Sequence, residues 1–221
     1  MTFSIVGRCA RTGMLGMGIA TSSIAVTGRC VWVRGRVGAV ATQMTTDPAL
    51  GTRVLDLMAG GLAADQAVAQ AAAETSHRDY RQLTAVDRHG RTGHYTGSKA
   101  LGVPSVAPGR HCVAAGNILA NPDVPAAMTR LFEAETGIHL AERLLRALEA
   151  GLVAGGEHGP IHSAGLIVAH EQAWPIVNLR IDWADEAPLS QLRALWQAYE
   201  PQRNDYIARA LDPAHAPGAP P

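Results

Sequence analysis

The residue with the clearest chemical potential is Thr2, which follows Met1 and opens the period-two strand pattern Thr2-Phe3-Ser4-Ile5-Val6. Thr2 is small enough for the methionine before it to be trimmed, which would expose a free α-amino group beside a hydroxyl. In that arrangement the hydroxyl attacks a carbonyl carbon and the amine accepts its proton. An ordinary strand that starts early explains the same residues, and on this stretch alone it is the favoured interpretation.

A hydrolase of this kind also needs hydrogen-bond donors for the oxyanion. Asn117 ends a predicted strand and can donate from a neutral amide, although a turn residue that bonds its own backbone fits the position equally well. Thr42 and Gln43 end a strand of small residues, where side chains can converge on a neighbouring strand terminus. A polar strand end in water fits them equally well. Asn117, Thr42 and Gln43 are therefore the candidate catalytic partners of Thr2.

Other polar residues could position a substrate. Arg8 and Arg180 could each clamp a carboxylate, although a surface position is favoured for any one arginine among so many. Ser163 could be a second hydroxyl in the cleft, but a core serine bonded to backbone is favoured. With His162 as a base, Ser163 could also be the nucleophile of a different hydrolytic route.

A metal site is the less favoured interpretation of Glu157, His158 and His162. Gly159-Pro160 between the two histidines excludes a helical i, i+4 pair, and nothing else in the chain supplies a metal pattern. The sequence lacks G-x-S-x-G, S-x-x-K and a P-loop. We therefore expect no metal or cofactor.

Composition narrows the possible partners. The 221 residues include 19 basic and 19 acidic side chains, so nothing indicates binding to nucleic acid or to an anionic membrane surface. No apolar run reaches membrane-spanning length, and no charged leader precedes an apolar segment. The three cysteines lack a CxxC spacing, which is typical of reduced thiols. These features predict a cytoplasmic protein, and apolar helix faces make a homodimer plausible.

The elements that must position these residues alternate in blocks. Strands come first, followed by two helices, more strands, two helices, two strands and a last helix, which predicts a layered α+β domain with antiparallel sheets. Asp47-Pro48 is the clearest helix start, and Gly60-Gly61 ends that helix. We expect one domain over residues 1–211 and a disordered tail over 212–221, where Pro, Ala and Gly dominate.

Taken together, five stretches resemble a bacterial family, the domain-of-unknown-function 1028 family, which is assigned to the N-terminal-nucleophile hydrolase superfamily. The stretches are Thr2–Val6, Val37–Gln43, Ala115–Ala120, Gly155-Gly156 with Ser163-Ala164, and Leu179–Asp182. The resemblance implies a four-layer αββα sandwich of two antiparallel sheets and places Thr2 where the superfamily carries its nucleophile. The candidate substrate-binding residues in or beside these stretches are Arg8, Glu157, His162, Ser163, Arg180 and Asp182.

The chain departs from the family pattern at several positions. Cys9 stands where members have an aspartate, His162 replaces a glutamine, Trp183 replaces a second aspartate, and Glu157-His158 stands for an acidic residue plus arginine. Our interpretation is a hydrolase of a small amide or amide-like C–N bond that acts through Thr2. The alternative is a non-catalytic binding or assembly module, which a retained Met1 would favour.

Overall fold

The computed structural model describes residues 1–218, which fold into two antiparallel sheets packed face to face. The larger sheet has six strands, in the spatial order β10 (Val177–Ile181), β9 (Ser163–Ala169), β2 (Leu15–Thr21), β1 (Thr2–Arg8), β8 (Cys112–Asn117) and β7 (Ser105–Gly109). The smaller sheet has the order β3 (Val31–Arg34), β4 (Gly38–Met44), β5 (Arg81–Asp87) and β6 (Thr92–Thr96). The first strand is therefore an interior strand.

Helices cover the outer face of each sheet. The smaller sheet packs against α2 (Pro48–Ala59) and α3 (Ala64–Glu74), and the larger sheet packs against α4 (Val124–Ala134), α5 (Leu140–Val153) and α6 (Pro188–Tyr199). A single-turn helix, α1 (Thr27–Cys30), precedes β3, and α7 (Arg203–Leu211) follows α6. The order of layers is α, β, β, α, which confirms the predicted four-layer sandwich.

The core has one apolar layer at each of the three interfaces. Strand β1 shows how the period of two divides it, because Phe3 and Ile5 pack against the helices while Val6 packs between the sheets. Thr2 and Ser4 share the face of Val6, so the interior between the sheets receives polar groups at one end of this strand. Fully burying an aliphatic or aromatic side chain contributes roughly 1.5–3 kcal/mol, and the fold depends mainly on these three layers.

Local signals fixed several element ends. Asp47 caps α2 by accepting a hydrogen bond from the amide of Ala49 at 3.1 Å, and Pro48 occupies the first turn. Strand β7 and helices α1 and α7 have no counterpart among the predicted elements. Helix α5 continues through Gly151 to Val153, although glycine in a helix interior is unfavourable.

Three predictions are not tested by the structure: disorder of the carboxyl-terminal tail, homodimer formation and a cytoplasmic location. Within the described part, the Arg209 side chain donates to the carbonyl groups of Pro217 and Gly218. The predicted disorder of 212–221 stays a prediction, and residues 219–221 lie outside the described residues. Homodimer formation and a cytoplasmic location also stay predictions. Among residues 1–218, no helix combines the length and the apolar character needed to cross a membrane.

Candidate active site

A row of polar side chains crosses the larger sheet at the amino-terminal end of β1. Thr2 is 7% exposed and pairs in register with Asn117 on β8, which is 1% exposed. On its other side, the Thr2 Oγ1 lies 3.2 Å from the Thr21 Oγ1 at the end of β2. Because directly opposed residues of antiparallel strands point to the same face, all three side chains lie between the sheets. The structure thus brings the predicted nucleophile beside a hydroxyl and an amide.

Ser163 continues the row on β9, opposite Thr21. Its hydroxyl donates to the carbonyl of Ser23 at 2.6 Å and accepts from the amide of Val26 at 3.3 Å. The hydroxyl of this fully buried side chain therefore bonds to backbone groups, as expected for a core serine.

His162 does not act on Ser163. Its Nδ1 lies 2.9 Å from the carbonyl oxygen of Ala184, and its ring stacks on Trp183 with centroids 4.4 Å apart. Adjacent residues at a strand start point to different sides, so the histidine ring and the Ser163 hydroxyl diverge. The alternative route with His162 as base and Ser163 as nucleophile is therefore not supported by the geometry.

A chain of buried side-chain hydrogen bonds links the two sheets behind Thr2. Ser4 donates to the Oε1 of Gln43 at 2.7 Å, and the Nε2 of Gln43 donates to the Oε1 of Gln82 at 2.7 Å. The same Gln82 oxygen accepts from the Nδ2 of Asn117 at 3.1 Å, and the Gln82 Nε2 donates to the carbonyl of Gly116 at 3.0 Å. These bonds fix the amide of Asn117 and leave its Oδ1 without a partner among the described residues.

Thr42 lies on the opposite face of β4 from Gln43. Its Oγ1 donates to the carbonyl of Arg29 at 3.3 Å, accepts from the Nε1 of Trp32 at 3.4 Å and lies 2.9 Å from the Oγ1 of Thr46. Successive residues of a strand alternate between faces, so Thr42 and Gln43 cannot both point toward Thr2. Of the two, only Gln43 belongs to the network behind the site.

Glu157 is the most perturbed acid near the amino terminus. The turn before it contains Gly155 and Gly156 with φ of +122° and +61°, and Glu157 then pairs with Leu119 in an isolated antiparallel bridge beyond β8. Glu157 is 4% exposed, and neither carboxylate oxygen makes a well-formed hydrogen bond within residues 1–218, although the hydroxyl and the amide of Ser22 lie near enough to lower its pKa. The loop therefore carries a buried acid to the end of the sheet where β1 begins.

Burial raises the pKa of Glu157 to about 7. The α-amino group of Met1, Ser22 and His162 act in the opposite direction, but their combined effect on the pKa is smaller. Near neutral pH this carboxyl group is therefore divided between its charged and uncharged forms beside the chain terminus. Within the described residues, no three His, Cys, Asp or Glu side chains form a metal-binding group.

Met1 lies over the site. Its carbonyl oxygen accepts hydrogen bonds from the hydroxyls of both Thr2 and Thr21. Together with these residues, Met1 lines a pocket of about 230 Å³ whose wall also includes Arg29 and Cys30. Arg29 is exposed and forms no salt bridge within the described part of the chain, so a cation without an acidic partner stands at this pocket. With Met1 in place, the Thr2 hydroxyl is occupied and its nitrogen is an amide.

Three candidate substrate-binding residues do not line this pocket. Arg8 is at the other end of β1, about 20 Å from Thr2 at a strand rise of ~3.4 Å per residue, so it cannot contact the same small substrate. Arg180 and Asp182 form a salt bridge with each other at 2.7 Å, and both side chains are nearly half exposed. Because the Arg180 guanidinium is already paired with the Asp182 carboxylate, it is not available to bind a carboxylate of a substrate.

Four residues of the site were not predicted from the sequence: Ser4, Thr21, Gln82 and Arg29. For Thr21 alone, the hairpin pattern of the sequence could have indicated the position. The β1–β2 hairpin pairs Phe3 with Ala20, so its register places Thr21 beside Thr2. Nothing local indicates the roles of Ser4, Gln82 and Arg29, because these depend on how one sheet stacks on the other.

Two facing antiparallel sheets between helical layers form a four-layer αββα sandwich, in which Thr2 opens an interior strand. A model of a family of unknown function, DUF1028, matches residues 2–192 of this sequence. The chain therefore belongs to the DUF1028 family. No curated protein matches the sequence.

One solved structure agrees with this membership, and two others are more distantly similar. The crystal structure of protein SPO2555 from Silicibacter pomeroyi, of the same family, is 32% identical and has a TM-score of 0.85 over 93% of this chain and 89% of that one. Anbu (ancestral beta-subunit) from Yersinia bercovieri is 11% identical, with a TM-score of 0.40 over 99% of this chain and 100% of that one. An Anbu (Gly-1) mutant from Hyphomicrobium sp. strain MC1 is 14% identical, with a TM-score of 0.42 and coverages of 91% and 96%.

Proposed function

We propose that this protein is a hydrolase of small amide or amide-like C–N bonds, with Thr2 as its amino-terminal nucleophile after removal of Met1. One observation carries the proposal: at the start of an interior strand, Thr2 pairs in register with Asn117 and its hydroxyl lies 3.2 Å from that of Thr21. The buried, poorly hydrogen-bonded carboxylate of Glu157 near the terminus adds support. Removal of Met1 frees the Thr2 hydroxyl and converts the Thr2 nitrogen from an amide into an amine.

The reaction assigns one role to each group. The Thr2 Oγ1 attacks the carbonyl carbon of the substrate while the Thr2 amine accepts the hydroxyl proton. A free α-amine has a pKa near ~8, so an appreciable neutral fraction exists at neutral pH. Asn117 keeps one N–H of its amide free, since the other is used by Gln82, and that N–H donates to the oxyanion.

The second half of the reaction returns the enzyme to its starting state. The proton held by the Thr2 amine passes to the nitrogen of the leaving group as the C–N bond breaks, which leaves an ester on Thr2. A water molecule then hydrolyses this ester and releases the acid. In this scheme Arg29, exposed at the pocket and without an ion pair among the described residues, attracts an anionic group of the substrate.

The test compares wild type with Thr2→Ala, Thr2→Ser and the control Thr52→Ala on a panel of small acyl amides and anilides. Thr52 is an exposed helical threonine whose hydroxyl bonds only the carbonyl of Ala49 at 3.0 Å, so its loss leaves the site intact. We expect turnover in wild type, Thr2→Ser and Thr52→Ala, and none in Thr2→Ala. Intact-mass measurement on the same samples should show loss of Met1. Turnover by Thr2→Ala, or by a preparation that retains Met1, would contradict the proposal.

A non-catalytic binding module is the second candidate, and one observation favours it. With Met1 present, its carbonyl accepts from both threonine hydroxyls and its side chain helps to line the pocket. A chain that keeps Met1 in its native host carries its free amine on Met1, so the Thr2 nitrogen stays an amide and cannot accept the hydroxyl proton. Intact mass of protein purified from that host distinguishes the two functions.

A further inference from the structure

A second pocket, of about 430 Å³, lies at the opposite end of β1 from Thr2. Its wall combines the β1–β2 turn, the β7–β8 turn and helices α4 and α5. Four arginines from three of these elements line it: Arg8 and Arg11 near the first turn, Arg110 in the second and Arg143 on α5. We call these four residues and the space between them the arginine pocket.

The charge of the arginine pocket is not compensated within the described residues. None of its four guanidinium groups forms a salt bridge there, whereas nine other arginines of the chain do. The carboxylate in the pocket wall belongs to Glu133, and it accepts a hydrogen bond from the backbone amide of Arg110 instead of pairing with a guanidinium. Four cations thus converge on one concave surface with a single acid.

Arg143 shows that the pocket is built and not a chance grouping of surface side chains. The residue is 4% exposed, its Nη2 donates to the carbonyl of Phe132 at 2.6 Å, and its guanidinium lies 3.9 Å from the centroid of the Phe132 ring. These contacts fix the guanidinium in one orientation. Its buried Nε has no partner in the described residues, and neither does the buried Nε of Arg8.

Holding a cation in that position is unfavourable without an anion. Burial lowers the pKa of Arg143, which reports the cost of desolvating its charge. An unpaired buried charge is costly, and the interactions of Arg143 with Cys9 and Glu135 offset only part of that cost. A bound anion would offset the rest.

We propose that the arginine pocket binds a small multivalent anion that carries phosphoryl or carboxylate groups. The planar guanidinium fork matches the oxygen geometry of both groups, and a pocket of this volume suits a small molecule. The site is distinct from the candidate active site because about 20 Å of β1 separates Arg8 from Thr2. The proposal is therefore independent of any activity of Thr2.

Calorimetric titration of the full chain at low ionic strength tests the proposal with three probes: inorganic phosphate, pyrophosphate and citrate. We expect saturable binding that weakens as salt is added. Arg11→Gln and Arg110→Gln should each weaken binding at least about tenfold, since each removes a charged hydrogen-bond donor from the anion. Both arginines are exposed, so these variants keep the fold. Binding confined to phosphate and pyrophosphate would identify a phosphoryl ligand, and binding of citrate a polycarboxylate.

Arg78→Gln is the matched control. Arg78 is also exposed and without a salt bridge among the described residues, but it precedes β5 in the other sheet. Its variant should bind as wild type does, and Thr2→Ala should as well. The absence of saturable binding for all three probes would overturn the proposal. Equal affinity in Arg11→Gln, Arg110→Gln and Arg78→Gln would overturn it too.

Discussion

Replacing Glu157 by glutamine should change how stability depends on pH. The side chain is buried and without a well-formed hydrogen bond among the described residues, and burial raises its pKa from the model-peptide value of 4.5 to about 7. Below pH ~4.5 the acid is neutral in both the folded and the unfolded chain. As pH rises to about 7, the unfolded chain releases its proton first, so the folded state loses stability.

The size of this effect follows from the pKa difference. Each pKa unit corresponds to about 1.36 kcal/mol, so a rise from 4.5 to about 7 makes the ionisable acid cost at most about 3 kcal/mol above neutral pH. Glu157→Gln removes that cost because glutamine does not titrate. We compare the free energy of unfolding of the variant with that of wild type at each pH. This difference should be about 3 kcal/mol more favourable to the variant at pH 8 than at pH 4. For a chain of this length that gain corresponds to roughly 6–12 °C in Tm.

Thermal unfolding of wild type and Glu157→Gln between pH 4 and pH 8 measures the difference. Both samples should have the same amino terminus by intact mass, because the terminal α-amino group is one of the charges that act on the carboxyl pKa. The control is Glu186→Gln, an exposed acid whose variant should follow the wild-type pH profile. Parallel Tm profiles for wild type and Glu157→Gln would refute the assignment of Glu157 as a strained buried acid.

Two further predictions concern the oxyanion donor and the packing of one glycine. Asn117→Ala should lower kcat by about a hundredfold or more and change KM less, as loss of an oxyanion donor does. The exposed control Asn204→Ala should keep wild-type kinetics. Equal kcat in the two variants would remove Asn117 from the mechanism. Gly51→Ala should lower stability by roughly 1–3 kcal/mol in denaturant titration, because an added Cβ would lie 1.9 Å from the Cδ1 of Trp32. Gly28→Ala, with no atom within 4 Å of its Cβ, should be neutral or slightly stabilising, and equal losses at the two glycines would contradict the packing argument.

Strands and helices could be predicted from the sequence where a local residue pattern alone determines the element. The alternation of Phe3 and Ile5 with smaller polar residues predicted β1, and Asp47 with Pro48 predicted the start of α2, because capping and strand period are local properties. Strand β7 was missed because Pro108 and Gly109 weaken the strand pattern, and both are tolerated at a sheet edge. Helix α7 was missed because none of its residues is buried, so it has no apolar stripe facing the core.

Only part of the candidate site could be predicted from the sequence, because the rest depends on contacts between distant segments. Thr2 and Asn117 were predicted as partners, and the pairing of β1 with β8 places them directly opposite one another. The grouping of Thr42 with Gln43 conflicts with the period of two itself, since neighbours in a strand face opposite sides. Gln82 could not be predicted because it reaches Asn117 only after one sheet has stacked on the other.

The buried amide network is the feature that best connects the fold to the proposed chemistry. A network of this kind is costly unless its members are bonded, and here Gln43 and Gln82 have found partners while the Oδ1 of Asn117 has none among the described residues. The buried carboxylate of Glu157 also lacks a well-formed hydrogen bond there, and Ser22 offsets only part of its burial, so two poorly satisfied groups lie at the end of the sheet where β1 begins. The amide nitrogen of Thr2 offers one N–H, whereas a free α-ammonium group offers three. The unprocessed chain carries this ammonium group on Met1, where it lowers the pKa of Glu157, and removal of Met1 would move it onto Thr2, directly opposite Asn117. We therefore expect the unpaired Oδ1 of Asn117 to gain a donor in a chain that begins at Thr2.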